Sequence, residues 1–560
     1  MKVTLGDISF DDDIVLKRLK SDLRDDWFPD PLGFTDILDG SLLTELINKN
    51  FENNHGSYVP SKALLLNIPK GNFTLRYALE SSVVDRTVYH ALASYLVPFY
   101  DPLLSWRVFS HRRPQSTSTP NNRASSRYTF RNPISAWNDF LGCVRSALQP
   151  DHVLLSTDLA NYFENITISR LKDDLIRYIP ELSATADDKG HIRTHINRLF
   201  EYLPAWTFSI ERGLPQNRDA SSFLANIYMR TVDDTMISDG YEYFRYMDDI
   251  KIVCRDLHTA RRALKRLVIA LRPLGQTVNS AKTEIVPANS TTEIARCLDE
   301  GSPELRRINA AWQSKSLKVI SRTFIPLKQL TLRTIQAPES KSYNSREFRF
   351  CVSRLEALAR CEDFQVPASF FDEITPLIIA GLDTAPVATD QICKYLRSAP
   401  LDDHHLISIL DHLLDDSKSI YNWKNYHIWL LLTQKHYITE PTLELARRIV
   451  TDRKDDPTRA GATIYLGAFG TKSDRILIAE RFESLETFLG QRSAVIGLQE
   501  LHYSASPKNG GPSIKTHVQP YLRADLRGSY RALNRRGVYV SQMEPFSITR
   551  YVDLERDYDG

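Results

Sequence analysis

Two adjacent carboxylates, Asp248 and Asp249, interrupt an aromatic run and are followed at once by the β-prone run Ile250 to Val253. The stretch YFRYMDDIKIV, Tyr243 to Val253, predicts a strand, a tight turn and a returning strand with the acidic pair at the tip. Carboxylates fixed on such a platform are hard oxygen ligands that can hold divalent cations and present them to a phosphate. A bare acidic pair describes a solvated turn equally well, so the chemistry requires a partner carboxylate from another strand. Upstream, the short apolar run from Val153 ends in Asp158, which places a third carboxylate at the end of a buried strand, facing any crevice above the sheet. Chemistry on a nucleoside triphosphate uses two metals roughly 3.5–4 Å apart, one activating the attacking hydroxyl and one holding the leaving group. Asp158, Asp248 and Asp249 suffice for that clamp.

The elements that must position these side chains follow from periodicity. Val88, Leu92 and Leu96 keep helical spacing, as do Leu171, Leu175 and Ile179 before the stop at Pro180. Residues 181–200 read as a polar excursion. The segment from Gly213 opens a helix whose Ser221, Leu224, Ala225 and Ile227 form a small-residue face suited to a sheet. After the hairpin, Leu257, Ala260, Leu264, Leu267, Val268 and Leu271 form an apolar helical stripe, ended by Pro273 and Gly275.

The hairpin YMDD, the segment TDLANYFENI after Val153, the segment GLPQNRDASSFLANIYM (Gly213 to Met229) and the segment LGQTVNSAKTEI (Leu274 to Ile285) resemble, in order and spacing, four consecutive motifs of bacterial reverse transcriptases. The resemblance covers roughly residues 70–290, with Asp85 and Arg86 in the place of a fingers motif. It implies catalytic roles for Asp158, Asp248 and Asp249, and metal-holding positions at Asp158, Leu159, Asp248 and Asp249. The cofactor implied is Mg2+ as two ions, with Mn2+ able to substitute. Nucleotide contacts are implied at Arg107, Phe163, Gln216 and Lys282, with Phe163 under the sugar, Gln216 at the base pair and Lys282 near the pyrophosphate. For Arg107 a plain surface arginine is the other reading. Asn217 stands where most of the family has glycine, and a side chain there would crowd a template strand.

Net charge is nearly neutral at +2, so nucleic-acid contacts must rest on local patches. One is the stretch between Pro102 and Asn138, where Arg107, Arg112, Arg113, Arg123, Arg127 and Arg131 occur without an acidic residue. Another is the series Arg523, Arg527, Arg531 and Arg535 opposite Leu522, Leu526, Tyr530 and Leu533. Either patch is otherwise a solvated face. The six cysteines form no CxxC pair, which argues against structural zinc and for a reducing compartment. The acidic N-terminus is no secretory signal, and no apolar run approaches the ~18 residues of a membrane span. A cytoplasmic protein without membrane contact is expected.

The expected fold class is α+β: residues 1–60 an N-terminal extension that is part of the fingers, 61–290 fingers and palm, 291–345 a connector, and 346–560 an all-α, helical-repeat (HEAT-like) domain replacing a conventional thumb. In that last part Phe348, Cys351, Leu355 and Leu358, then Leu406, Ile409, Leu410 and Leu413, then Leu443, Ala446 and Ile449 keep the period of a buried helix face. Asp402, Asp403, His404 and His405 read as an acidic helix start rather than a metal site. This architecture resembles the abortive-infection (Abi) reverse transcriptases of bacterial phage defence. That resemblance implies a homo-oligomeric, template-independent DNA polymerase that takes dNTPs, makes single-stranded DNA and joins the first nucleotide to one of its own tyrosines, with RNA as a further partner. Tyr58, in a polar turn, is the primer candidate, whereas Tyr162 and Tyr246 lie inside motifs as structural residues. The alternatives are an RNA-templated enzyme of retron or intron type and a catalytically silent nucleic-acid-binding scaffold.

Overall fold

The structure, a computed structural model, describes residues 2–5, 8–23, 26–38, 40–114, 130–298, 300–337, 343, 345–501, 514–545, 547 and 548. Eight strands are present among them: β1 (Lys2–Leu5), β2 (Ile8–Asp11), β3 (Leu64–Pro69), β4 (Leu75–Glu80), β5 (Val153–Thr157), β6 (Glu242–Tyr246), β7 (Asp249–Cys254) and β8 (Glu284–Pro287). β1 pairs with β2, β3 pairs with β4, and the last four form a sheet in the order β6-β7-β5-β8, antiparallel throughout. The chain divides into two compact units, one comprising residues 1–25, 40–65 and 81–300, the other residues 26–39, 66–80 and 301–560.

In the first unit the four-stranded sheet carries the core. Leu154, Phe244, Val253 and Val286 pack with Phe109, Phe140, Val144 and Ile294, and the helix Pro133–Ala147 lies on β6 and β7. Alternate residues Leu155, Tyr243, Ile250 and Ile252 are fully buried as well, as the period of two along a sheet covered on both faces requires. The helix Asp219–Ser238 packs on β6, and the helix Leu257–Leu271 on β5 and β7. Of the expected stripe on the latter, Ala260, Leu267 and Leu271 are buried, but Leu257 is exposed because it begins the first turn after the Asp256 cap; Ala263 takes the fourth buried place.

The polar stretch 181–200 is not an excursion. It forms the helix Ala186–Tyr202, opened by a reciprocal capping box between Thr185 and Asp188. Ile192, Ile196 and Leu199 are fully buried on one side of it; three apolar residues among many polar ones satisfy a helix when their spacing is right. The following helix starts at Asp219 rather than at Gly213, since Asn217 has φ of +56° and Arg218 is extended.

The second unit is largely helical. Arg346–Ala359, Thr389–Ser398, Asn422–Gln434, Pro457–Phe469 and Phe488–Gly497 pack each on the next in that order. Thr375–Thr384, Asp403–Leu414, Glu440–Asp452 and Lys472–Glu480 form a second layer against them. Along the first layer each helix therefore contacts its next-but-one neighbour in the chain, the quasi-one-dimensional logic of stacked helical hairpins. Asn422–Gln434 is buried at every position from Trp423 to Gln434, as a helix walled on all sides must be. Phe348, Cys351, Leu355 and Leu358 are buried as expected, and so are Leu406, Ile409, Leu410 and Leu413. In Glu440–Asp452 the buried face is rotated to Thr442, Leu445, Ala446 and Val450, leaving Leu443 and Ile449 half-buried. Asp402 caps its helix through the N–H of His405 at 2.9 Å, an acidic helix start.

Residues 26–39, expected with the fingers, belong to this helical unit. Trp423 donates its indole N–H to the Trp27 carbonyl at 2.7 Å, and the Tyr426 hydroxyl donates to that of Pro29 at 3.0 Å. Arg492, 2% exposed at its side chain, is gripped by Asp30 and Asp36, each 1% exposed.

Two of the stacked helices touch backbone to backbone. A Cβ built on Gly467 would lie 2.3 Å from the Cα and carbonyl oxygen of Gly497, and main chain cannot rotate out of the way. Gly467→Ala is therefore expected to push the helices apart and to destabilise the helical unit by about 1–3 kcal/mol, the usual cost of overpacking, measurable by urea unfolding; an unchanged midpoint would show that the layer yields freely.

Candidate active site

The hairpin tip is built as expected. Tyr246 pairs with Asp249 and closes β6 onto β7, so Met247 and Asp248 form a two-residue turn. Met247 adopts φ of +54°, a conformation that normally calls for glycine or asparagine at this place in a hairpin. What holds it is Arg245, whose side chain is fully buried. Its guanidinium makes a bidentate pair with Asp233 at 2.8 and 2.6 Å, and its Nη1 donates to Asn226 Oδ1 and to the Met247 carbonyl, each at 2.9 Å. The turn is thus anchored from below by the helix Asp219–Ser238, which carries both Asp233 and Asn226.

β5 lies beside β7 with Thr157 opposite Ile250; one residue further along the same register sets Asp158 against Asp249. Main-chain bonds then stitch three loops together. Leu159 N–H donates to the Asp248 carbonyl at 3.2 Å, Asn279 N–H to the Asp158 carbonyl at 2.8 Å, and Ala160 N–H to the Thr277 carbonyl at 2.9 Å. Lys282, on the short turn Ser280–Lys282, reaches Asp158 Oδ2 with its ammonium at 2.5 Å.

A fourth loop joins through Phe163. Leu214 N–H donates to the Phe163 carbonyl at 3.0 Å and Gly213 N–H to that of Ile166 at 2.9 Å, while the Gln216 amide reaches Glu164 Oε1 at 3.4 Å. Asn217, with its positive φ, reproduces the backbone a glycine would adopt and adds a side chain to it.

The electrostatics of the acidic group are those of charge in need of a counter-ion. Burial, the Asp249 carboxylate and then Asp158 push the Asp248 carboxyl up to about 7. Burial and Asp158 also raise Asp249, against the pull of Lys251 and Lys282, even though two-fifths of the Asp249 side chain faces solvent. Lys251, itself buried, donates to Ser156 Oγ at 2.8 Å and stands 3.8 Å from Asp249 Oδ1. Among the described residues no cluster of three or more His, Cys, Asp or Glu side chains is gathered ready to hold an ion; the lysines partly neutralise the carboxylates instead. Yet Asp158 Oδ1 is buried with no hydrogen-bond partner, a costly state for a carboxylate oxygen. That orphaned oxygen and an all-oxygen donor set fit hard divalent cations such as magnesium.

The structure thus brings Asp158, Leu159, Asp248, Asp249 and Lys282 together, with Phe163 on the segment after Leu159 and Gln216 on the loop bonded to it. It does not bring Arg107 to them. The Arg107 guanidinium pairs with Glu242 at 3.2 Å and the Tyr241 carbonyl at 3.2 Å, at the start of β6, and lies over Trp106 and Phe244. Arg112 is likewise committed, bonding Asp101 and the carbonyls of Ser105 and Val108, and Arg131 pairs with Asp139; Arg123 and Arg127 lie outside the described residues. Tyr58 is no mobile side chain. It is 3% exposed, its hydroxyl donates to Asp85 Oδ1 at 2.7 Å, and its ring packs on Tyr202. Ser61 from the same turn and Ser82 at the start of the helix Val83–Tyr100 bond the same buried Asp85. Tyr162 is a structural residue, its hydroxyl bonded to the Ala225 carbonyl at 2.6 Å.

Arg245, Asp233, Asn226 and Lys251 escaped the sequence reading. The signal was there in Arg245 and Lys251, cations inside strands otherwise apolar, which a buried sheet admits only when they are paired.

Residues 68–324 match the family described as reverse transcriptase (RNA-dependent DNA polymerase). That segment matches as a reverse transcriptase domain, and the enzyme class the match gives is nucleotidyltransferase. The matched family typically uses divalent metal ions and acts on nucleotides and nucleic acid. Among solved structures the chain is similar to apo telomerase from Candida tropicalis, at 12% identity over 73% of this chain and 71% of that one, with a TM-score of 0.26. It is also similar to telomerase from Candida albicans bound to a TWJ fragment of telomeric RNA, at 13% identity over 72% and 67% of the two chains, with a TM-score of 0.27. No curated protein matches. Among the described residues no helix is long and apolar enough to cross a membrane.

Proposed function

We propose that this protein is a DNA polymerase of the reverse-transcriptase type that acts in antiphage abortive infection, extends without a template and starts on one of its own tyrosines. The observation that carries the polymerase reading is the juxtaposition of Asp158 with Asp248 and Asp249 through the Leu159–Asp248 and β5–β7 bonds. Two magnesium ions held by these carboxylates and the main chain at Leu159 would activate the attacking hydroxyl and neutralise the departing pyrophosphate. The hydroxyl gives up its proton to solvent as its oxygen bonds to the α-phosphorus of a dNTP, the bond from that phosphorus to the bridging oxygen breaks, and pyrophosphate leaves. Lys282 supplies a positive charge beside Asp158, Phe163 lies under the sugar and disfavours a 2′-hydroxyl, and Gln216 faces the base.

Support for the finer reading is twofold. The chain continues after residues 68–324 into stacked helical pairs, which we read as HEAT-like, as standing in for a compact thumb and as the source of the contacts of a homo-oligomer. Asn217 adds a side chain where a template strand would pass. The primer is a tyrosine other than Tyr58, whose hydroxyl is spent on Asp85.

Incubated with magnesium and labelled dNTPs, without template or primer, the purified protein is expected to carry label that migrates with polypeptide under denaturing conditions until protease releases it. Label found only in free DNA, and only when template is added, would return the enzyme to the RNA-templated class.

A further inference from the structure

The loop from Gly213 to Arg218 is pinned at its start by the Phe163 turn, and at its end by a residue far outside the segment that matches the polymerase family. Asp22 closes the N-terminal helix Asp12–Asp22, and its side chain is 2% exposed. Its Oδ1 accepts the backbone N–H of Asp219 at 3.2 Å. Its Oδ2 lies 3.0 Å from His90 Nε2, on the helix Val83–Tyr100, and 3.5 Å from Arg218 Nε. The helix Asp219–Ser238 begins with Arg218 at its N-cap and has no capping side chain of its own. Asp22 therefore supplies from outside the acceptor that the first turn of a helix requires, with the negative charge that its dipole favours. Arg218 in turn donates from Nη1 to the Asn217 carbonyl at 2.9 Å, so the left-handed backbone of Asn217 is fixed from the same point. Burial alone would raise the Asp22 carboxyl, but His90, Arg218 and Arg86 hold it down at about 2, so it remains a full negative charge.

We propose that Asp22 is a positioning residue for nucleotide selection: through Arg218 and the first turn of Asp219–Ser238, it sets where Gln216 and Asn217 stand relative to the carboxylate group. The inference rests on the assignment of Gln216 to the nucleotide given above. Because the loop binds substrate and transition state alike, its displacement is expected to raise KM and spare kcat.

The experiment uses full-length protein with Asp22→Asn, which keeps an oxygen for the Asp219 N–H and loses the charge, beside Asp22→Ala, which loses both. Asp22→Asn is expected to raise KM for dNTPs roughly tenfold with kcat changed less than about threefold, since small misplacement of a positioning loop is costly. Amide exchange should quicken over residues 213–219 and stay unchanged in β5. Asp22→Asn added to Gln216→Ala should raise KM less than about twofold further, because both act through one loop. Should Asp22→Ala fail to fold, with His90 and Arg218 left buried beside no carboxylate, the Asn variant decides alone. Unchanged KM, or lower kcat and melting temperature at constant KM, would overturn the proposal and leave Asp22 a structural residue. If instead Gln216→Ala leaves KM intact while Asp22→Asn raises both KM and exchange, the assignment of Gln216 fails and the positioning by Asp22 stands through Asn217.

Discussion

Asp249→Asn is expected to fold like the parent and to lose nucleotide incorporation by about a thousandfold or more, with Asp158→Asn and Asp248→Asn behaving alike. The substitution preserves shape and removes only the charge that a cation would meet. For Asp248 the sign of the stability effect can be worked out as well. Burial and the neighbouring carboxylates raise this group to about 7, and a carboxyl raised in the folded state loses stability as pH climbs through that value. In metal-free protein at pH 8 its charge therefore opposes folding, and Asp248→Asn should melt at a higher temperature than the parent while being inactive. Such a trade of stability for function is common where like charges are gathered for chemistry. Incorporation retained by a well-folded Asp249→Asn protein would remove the polymerase assignment of this site. A lower melting temperature for metal-free Asp248→Asn would show that its carboxylate is better compensated than the surrounding geometry indicates.

The site was legible because it is local. Asp158 ends a strand and Asp248 and Asp249 sit in a hairpin, so period-two patterning fixes which way they face once the strands pair, and the β5–β7 register does the rest. Lys282 and Phe163 followed from positions within the same motifs. What stayed illegible was set by partners distant in the chain. Tyr58 stands in a polar turn as expected, yet Ser61 of that turn bonds a buried carboxylate at Asp85, and so does the Tyr58 hydroxyl. Arg107 was read by neighbourhood, yet Glu242 takes its charge. Helix Ala186–Tyr202 was hidden because its capping box and three buried aliphatic residues are outnumbered by polar ones. Among the C-terminal arginines, Leu522, Leu526, Tyr530 and Leu533 are buried as the pattern required. The helix, though, spans only Arg527–Leu533, preceded by a tighter turn at Ala524–Leu526, and Arg523 is held by Asp525.

Arg492→Met should weaken the helical unit by about 3–5 kcal/mol at pH 7, because it strands two buried carboxylates without a cation. Arg492 meets Asp30 at 2.8 and 3.1 Å and Asp36 at 2.6 Å through two of its nitrogens. Asp30 also accepts the N–H groups of Leu32 and Phe34 at 3.1 and 2.8 Å, so one carboxylate both shapes the 26–39 segment and fastens it to the helix Phe488–Gly497. For Asp36, burial pushes the carboxyl up, but the Arg492 hydrogen bonds and charge, with Ser529, outweigh it and hold the group below its usual value. A carboxylate lowered in this way adds stability above its unfolded pKa near 3.9 and loses it as pH falls through the folded value. In Arg492→Met the cation is gone, burial of Asp36 is opposed only by Ser529 and the main chain, and protonation then relieves the strain. The difference between parent and variant should accordingly be largest near neutrality and shrink below about pH 4. Urea unfolding of both proteins at pH 7 and at pH 4 measures it; a defect smaller than about 1 kcal/mol at neutrality, or one that does not diminish on acidification, would mean that the 26–39 segment is held by its aromatic contacts with Tyr426 and Phe488 rather than by the buried ion pairs.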